Sequence, residues 1–435
     1  MKFSLPEGKV LLYDGAKGVM LQKRGLKGEE AAEFWNLKRP EDVKEVHRLY
    51  LQAGSEILQT NTFPGNRITL EAHRLADRVY EINYAGVKLA REVAGDKVYV
   101  AASAGPTGLF LQPAGDLTFD RAYEIFAEQL AALEDAGADL VNFETFTDLG
   151  ELRAAILAAR EKTNLPVIAS ATFGKGARTL AGNPAEVCAI VCQSLGAMMV
   201  GANCSGGPES LVEPVKKMAA VAAVPLLVKA NAGMPEMVDG QAVYRQTPEQ
   251  FSSYTEEFVK SGVRLIGGCC GTTPDHIRAL KKELAGLEVP KAAFNPLPAI
   301  ASAYSYLPLS QNRQYVVGKL PVEGLKGALA AGDFQAATET ARDLAAKGAE
   351  IICLDFGDAV SFDCRALAES FGVAVKTPLV VRADFPEVLE EFLRYYPGRT
   401  AVLLQDGNRA QISRVNLYGA LPLEEDYLAG IAYFF

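Results

Sequence analysis

A (β/α)8 barrel followed by a small α/β domain is the fold these 435 residues predict. Three observations predict it. A glycine-containing turn leads into an apolar strand four times, four more strands of the same grammar alternate with helical stretches, and the reactive residues sit at the strand ends and not at their starts.

The four turns are Ala53-Gly54-Ser55 before 57–61, Ala136-Gly137-Ala138-Asp139 before 140–144, Leu195-Gly196-Ala197 before 200–204, and Ser261-Gly262 before 265–269. Glycine reads there as a helix C-cap ahead of a buried strand. Residues 10–14, 98–103, 167–172 and 226–231 supply the other strands, and 40–52, 122–135, 149–161 and 248–260 read as helices between them. Eight strands within residues 1–288 suit a barrel, whose length is about 250 residues before insertions. An open doubly wound sheet is the competing arrangement.

Composition narrows the function. Hydrophobic residues make up 49% of the chain, ample for a core, and the net charge of −9 comes with no Lys/Arg stripe. Nucleic acid and anionic membrane are therefore not expected as partners, and a small molecule is. Met1 to Leu5 open no apolar leader, and Gln193, Ser194 and Gly196 interrupt the most apolar stretch, 187–204. The expectation is a cytoplasmic protein with neither signal peptide nor membrane span, whose seven cysteines stay reduced.

If the strand C-termini form the active face, chemistry collects there. Asp14, Asn61, Ser103, Glu144, Thr172, Asn203 with Cys204, Asn231, and Cys269 with Cys270 all end predicted strands. Cys204, Cys269 and Cys270 can offer three thiolates to one soft metal ion, and three protein ligands leave a coordination position open. Adjacent residues of a regular strand point to opposite faces, so Cys269 and Cys270 share an ion only if the backbone is irregular, which Gly267, Gly268 and Gly271 permit. Two small core residues before a tight turn is the competing reading.

Cys188, Cys192, Cys353 and Cys364 read as helix-face packing. His276, in Thr272-Thr273-Pro274-Asp275-His276, belongs to a helix N-terminus with proline at its first position. His47 and His73 lie in charged helical segments and read as solvated.

Six motifs in order carry a resemblance: Asp14-Gly15-Ala16-Lys17-Gly18, Gln59-Thr60-Asn61-Thr62-Phe63, Gly105-Pro106-Thr107-Gly108, Phe143-Glu144-Thr145-Phe146, Gly201-Ala202-Asn203-Cys204 and Gly267-Gly268-Cys269-Cys270-Gly271-Thr272-Thr273-Pro274. The chain resembles the homocysteine S-methyltransferases, above all the N-terminal homocysteine module of cobalamin-dependent methionine synthases. The resemblance implies a barrel in which Cys204, Cys269 and Cys270 hold Zn2+, the homocysteine sulfur takes the fourth place, Asp14 and Glu144 hold its amino-acid group, and Asn203, beside the zinc, is a third substrate-binding residue. Lys17 and Val19 depart from that family's usual pattern of an apolar or aromatic residue followed by Thr.

Beyond residue 288, Pro290, Pro296, Pro298 and Pro308 among Ala and Ser mark 289–312 as a linker. Residues 313–435 follow as a small α/β domain, with a helix over 327–347, strands at 351–355, 378–382 and 400–404, and a helix over 387–394. It resembles a truncated pterin-binding barrel. Tyr315 to Pro321 lacks the family's acidic and Asn residues and Phe356 stands where Asn is expected, so folate binding is not carried over. The expected activity is methyl transfer to homocysteine, the donor being a methylcorrinoid on a separate protein, S-methylmethionine or another onium compound. A non-catalytic subunit presenting zinc-bound homocysteine to another enzyme is the alternative.

Overall fold

Eight parallel strands close on themselves in a computed structural model that describes residues 3–238, 241–290, 294, 298–358, 362–404, 409–424, 427 and 432–434. They are β1 (Leu11–Leu12), β2 (Ile57–Gln59), β3 (Tyr99–Ala104), β4 (Leu140–Phe146), β5 (Val167–Ala171), β6 (Met199–Cys204), β7 (Leu226–Ala230) and β8 (Val263–Gly268). Their order is β1-β8-β7-β6-β5-β4-β3-β2, and a parallel bridge between Tyr13 and Ile57 completes the ring. The predicted barrel is present, and all eight of its strands fall in one compact unit formed by residues 1–181 and 197–294.

Strands buried on both faces need near-continuous apolar sequence, which is what these runs carry. Side chains of alternate residues share a face. Leu11, Ile57, Ala101, Leu140, Ile168, Met199, Leu227 and Leu265 form one buried layer with Phe3 and Tyr13. Two to four residues further along the same strands come Gln59, Ser103, Asn142, Glu144, Asn203 and Lys229, all buried. The barrel interior thus changes from apolar to polar toward the strand C-termini, and this change positions the site.

The helix predicted over 40–52 spans Pro40–Ala53, with Pro40 at its first turn and Gly54 at φ 105° ending it. Its buried stripe is Val43, Val46, His47, Tyr50 and Ala53. His47 is therefore not solvated: it is fully buried, and neither ring nitrogen has a hydrogen-bond partner. Charged neighbours hid its place on the inward stripe at three- and four-residue spacing. His73 is exposed as expected. Thr118 caps the helix Phe119–Asp135, Asp148 caps Leu149–Lys162, and the segment 248–260 is split into Pro248–Ser252 and Thr255–Lys260. No helix among the described residues is long and apolar enough to cross a membrane.

The second compact unit comprises residues 182–196 and 295–435. Its sheet contains β11 (Tyr315–Pro321), β12 (Ile351–Asp355), β13 (Leu379–Arg382), β14 (Ala401–Leu404), β15 (Leu421–Glu424) and β16 (Ala432–Phe434), all parallel, in the order β15-β14-β13-β12-β11-β16. Helices cover one face through Leu367, Phe371, Leu389 and Phe392.

The other face is filled by an antiparallel pair, β9 (Ala299–Ala301) and β10 (Tyr306–Pro308), whose Ile300, with Leu309 just beyond, is buried against Val317, Ile351 and Val380. The segment 289–312 thus contains paired strands as well as connecting chain. Its apolar Ile300, Leu307 and Leu309 fill a sheet face, a role that its proline and alanine content concealed. Within it, 291–293 and 295–297, including Pro296, lie outside the described residues. The helix expected over 327–347 is broken at Gly332, φ 76°, into Lys326–Ala330 and Gln335–Ala346. Cys188, Cys192 and Cys364 are buried on helices, whereas Cys353 is buried on β12, because the sheet core, and not a helix face, takes it.

One buried acid makes stability depend on pH. Glu33, in the short helix Ala32–Phe34, is 5% exposed, and burial pushes its carboxyl from 4.5 up to about 7. A folded-state value above the unfolded one means that this stability is whole below pH 4.5 and is lost as pH rises through about 7. Glu33→Gln is expected to remove about 3 kcal/mol of the fall in unfolding free energy across that window. Urea unfolding of both proteins at several pH values checks this, and parallel curves would refute it.

Candidate metal centre

β6 and β8 deliver the cysteines. β6 ends on Cys204, and Cys204 and Ser205 both adopt left-handed backbone, at φ 59° and 67°. β8 ends at Gly268, so Cys269 and Cys270 lie in the following turn and escape the alternation of a regular strand. Three bonds tie this turn to the end of β7: Cys269 N donates to Ala230 O at 2.7 Å, Cys270 N to Asn231 Oδ1 at 3.0 Å, and Ala232 N to Cys270 O at 2.9 Å. Glycine is required beside it, because a Cβ on Gly267 would lie 2.6 Å from that of Tyr13.

The sulfurs of Cys204, Cys269 and Cys270 lie within 4.8 Å of one another, each residue partly exposed. Three thiols so close cannot ionise independently. Hydrogen bonds from Cys269 and Cys270 pull the Cys204 thiol well below its ordinary value, and the same contact with Cys204 pushes Cys270 well above its own. A soft divalent cation replaces that shared-proton arrangement with three thiolate bonds. Thiolates about 2.3 Å from a tetrahedral zinc stand about 3.8 Å apart, so this donor set fits the ion. Among the described residues it is the one group of three or more His, Cys, Asp or Glu side chains able to hold a metal.

Asn203 is fully buried, accepts from Thr145 N at 2.8 Å and donates to Thr145 Oγ1 at 2.8 Å. It holds Thr145 in left-handed backbone, φ 66°, while its amide lies 4.0 Å from the Cys269 sulfur. It thus stands beside the three cysteine sulfurs.

Glu144 and Asp14 both reach the mouth of the barrel, but each already has a lysine. Glu144 Oε2 accepts from Lys229 Nζ at 2.8 Å and Asn142 Nδ2 at 3.4 Å, while Oε1 accepts from Ser103 Oγ at 2.5 Å and from Gln59 Nε2. Asp14 Oδ2 accepts from Lys17 Nζ and, at 2.8 Å, from Gln59 N. Burial raises the Asp14 carboxyl despite the opposing pull of Lys17 and Lys229. Burial also acts on Lys229, but Glu144, Cys269 and Asp14 outweigh it and hold the lysine above its usual value. The lysine is charged, with its ammonium also 4.6 Å over the Tyr13 ring.

Lys229 and Tyr244 escaped the sequence reading. A lone lysine inside Leu226-Leu227-Val228-Lys229-Ala230 was the available signal, since a charge within a strand buried on both faces needs a partner. Tyr244 had none: it follows the hairpin strands Glu236–Val238 and Gln241–Val243, and burial, with the neighbouring Cys270 thiol, raises its hydroxyl above its ordinary range. The ring packs over Gly271, φ 77°, where an added Cβ would fall 2.5 Å from Tyr244 Cβ. Gly271→Ala is expected to destabilise the fold by about 2 kcal/mol from the left-handed backbone alone, and to loosen the cysteine turn. A lowered denaturant midpoint with faster labelling of the thiols checks this; unchanged values would refute it.

The model of the family described as homocysteine S-methyltransferase matches residues 11–284. Methionine synthase of Mycobacterium tuberculosis is 31% identical over 423 residues, 91% of this chain and 35% of that protein. Methionine synthase of Mycobacterium leprae is 30% identical over 427 residues, with the same two shares. The chain thus spans about a third of the length of these relatives. Among solved structures, the metallated form of the Escherichia coli homocysteine methyltransferase MmuM superposes with a TM-score of 0.55 at 24% identity, covering 63% of this chain and 96% of that one, a likeness of fold. With the match running over all eight barrel strands and both cysteine motifs, the chain belongs to the homocysteine S-methyltransferase family.

Proposed function

We propose that the protein is a zinc-dependent methyltransferase that moves a methyl group to the thiol of homocysteine to form methionine, with a methylcorrinoid carried by a partner protein as donor. The single observation that carries this reading is the cluster of three cysteine sulfurs within 4.8 Å at the ends of β6 and β8. Zinc bound there would deprotonate the acceptor thiol and hold its sulfur as a thiolate, the nucleophilic form.

The remaining work falls to the chain's own residues. Cys204, Cys269 and Cys270 would hold the metal and keep the site electron-rich, which favours sulfur attack on a methyl group over activation of water. Asn203 fixes the turn at Thr145, and Asn231 fixes the Cys270 amide, so the three sulfurs keep their relation when one position is exchanged. The charged groups at the ends of β1, β4 and β7 would receive the amino-acid end of the acceptor.

Support for a corrinoid donor is the similarity to methionine synthases, which extends over 91% of the chain. The test is purified protein with zinc and homocysteine, offered in turn a methylcorrinoid protein, S-methylmethionine and another methyl-onium compound. Methionine formed from the first and abolished by Cys269→Ala supports the proposal. Methionine formed only from an onium donor replaces the donor. No methionine from any, with homocysteine still bound, leaves the non-catalytic presenting subunit.

A further inference from the structure

β7 separates the two strands that deliver the cysteines, with β6 on one side of it and β8 on the other. Lys229 stands on β7 level with Asn203 and Gly267, the residues just ahead of Cys204 on one side and of the Cys269 turn on the other. The next residue, Ala230, fixes that turn, its carbonyl accepting from Cys269 N at 2.7 Å. From this root the lysine runs into the barrel, where Glu144 and Gln59 hold its ammonium and its side chain is 2% exposed. A buried positive charge is thus rooted between the sources of the three thiols.

A bound metal changes the charge balance of this region. Without it, Asp14 is paired with Lys17, and Glu144 with Lys229. A divalent cation held by three thiolates adds a net negative charge, which is costly beside buried strands unless a positive group stands near. Lys229 has that relation to the cysteines. It favours the Cys269 thiolate, and after Glu144 it is Cys269, ahead of Asp14, that does most to hold the lysine charged. Lys17, by contrast, takes its support from Asp14 and Glu144.

We propose that Lys229 is a positioning residue for the metal centre, its buried ammonium offsetting the negative charge of the metal–thiolate group and so strengthening the hold of Cys204, Cys269 and Cys270 on a divalent cation. This rests on the reading that these cysteines bind a metal. The lysine acts through the thiolates and by charge alone, so its effect depends on the charge of what the thiols bind.

The test compares Zn2+ with arsenous acid as ligands of the full chain at one pH. Zinc displaces a proton from each thiol and leaves an anionic site, whereas arsenous acid condenses with the same thiols to a neutral trithiolate, each thiol proton leaving with an arsenic hydroxyl as water. Lys229→Met is expected to weaken zinc about tenfold or more, read by competition with a chelator, and to change arsenite binding by less than about twofold. That variant leaves Glu144 unpaired, so Lys229→Met/Glu144→Gln, which removes both charges, is measured beside it and keeps the test open if the single variant does not fold. The double variant should still bind zinc about threefold or more weakly than wild type, with arsenite again within about twofold. Equal weakening of zinc and arsenite, or zinc bound by the double variant as tightly as by wild type, overturns the role of Lys229 and leaves the metal reading standing. A wild type that binds no zinc, whether or not it takes arsenite, overturns the metal reading and the proposal with it.

Discussion

Cys269→Ala is expected to yield folded protein that retains no stoichiometric zinc and has no measurable methyl transfer to homocysteine. Cys269 contributes one of three sulfurs lying within 4.8 Å, and two thiolates do not complete the three-ligand set of a catalytic zinc site. The loss should exceed that of an outer partner such as Asn231→Ala, which frees the Cys270 amide bonded at 3.0 Å and is expected to cost about 10- to 100-fold in metal affinity. Cys204→Ala and Cys270→Ala should match Cys269→Ala, whereas Cys188→Ala, a buried helix position outside the cluster, should keep its zinc. Metal analysis after dialysis reads all five variants. Zinc near one per chain in Cys269→Ala or Cys204→Ala would sink the ligand assignment.

The contrast between legible and hidden parts of this site is physical. Cys204, Cys269 and Cys270 were legible because barrel strands run parallel and deliver their C-termini to one mouth, so an end-of-strand position in sequence is already a position in space. The irregular backbone that two adjacent cysteines need was legible as Gly267, Gly268 and Gly271. Charge pairing was not, because it depends on register between strands distant in sequence. Lys229 meets Glu144 across 85 positions, and no local pattern encodes that. His47 failed for the opposite reason, since local charge pointed outward while the three- and four-residue stripe of its helix pointed in. The 299–308 pair failed because composition describes flexibility of a free chain and says nothing of a sheet face waiting to be covered.

Lys229→Met is expected to destabilise the protein by about 3–5 kcal/mol, the cost of leaving a buried charge without its partner. Both side chains are nearly inaccessible, at 2% for Lys229 and 4% for Glu144, so solvent cannot replace the lost ammonium. Glu144→Gln alone should also be costly, because the buried ammonium of Lys229 would lose its ion-pair partner. The double variant Lys229→Met/Glu144→Gln removes both charges together and should recover much of the loss, giving a strongly non-additive cycle. Urea unfolding of the four proteins measures this coupling. Additive single effects would mean that Glu144 is held by Gln59 and Ser103 without help from the lysine. A large coupling would instead show that Glu144 and Lys229 stand as one buried ion pair, each holding the other's charge inside the polar end of the barrel.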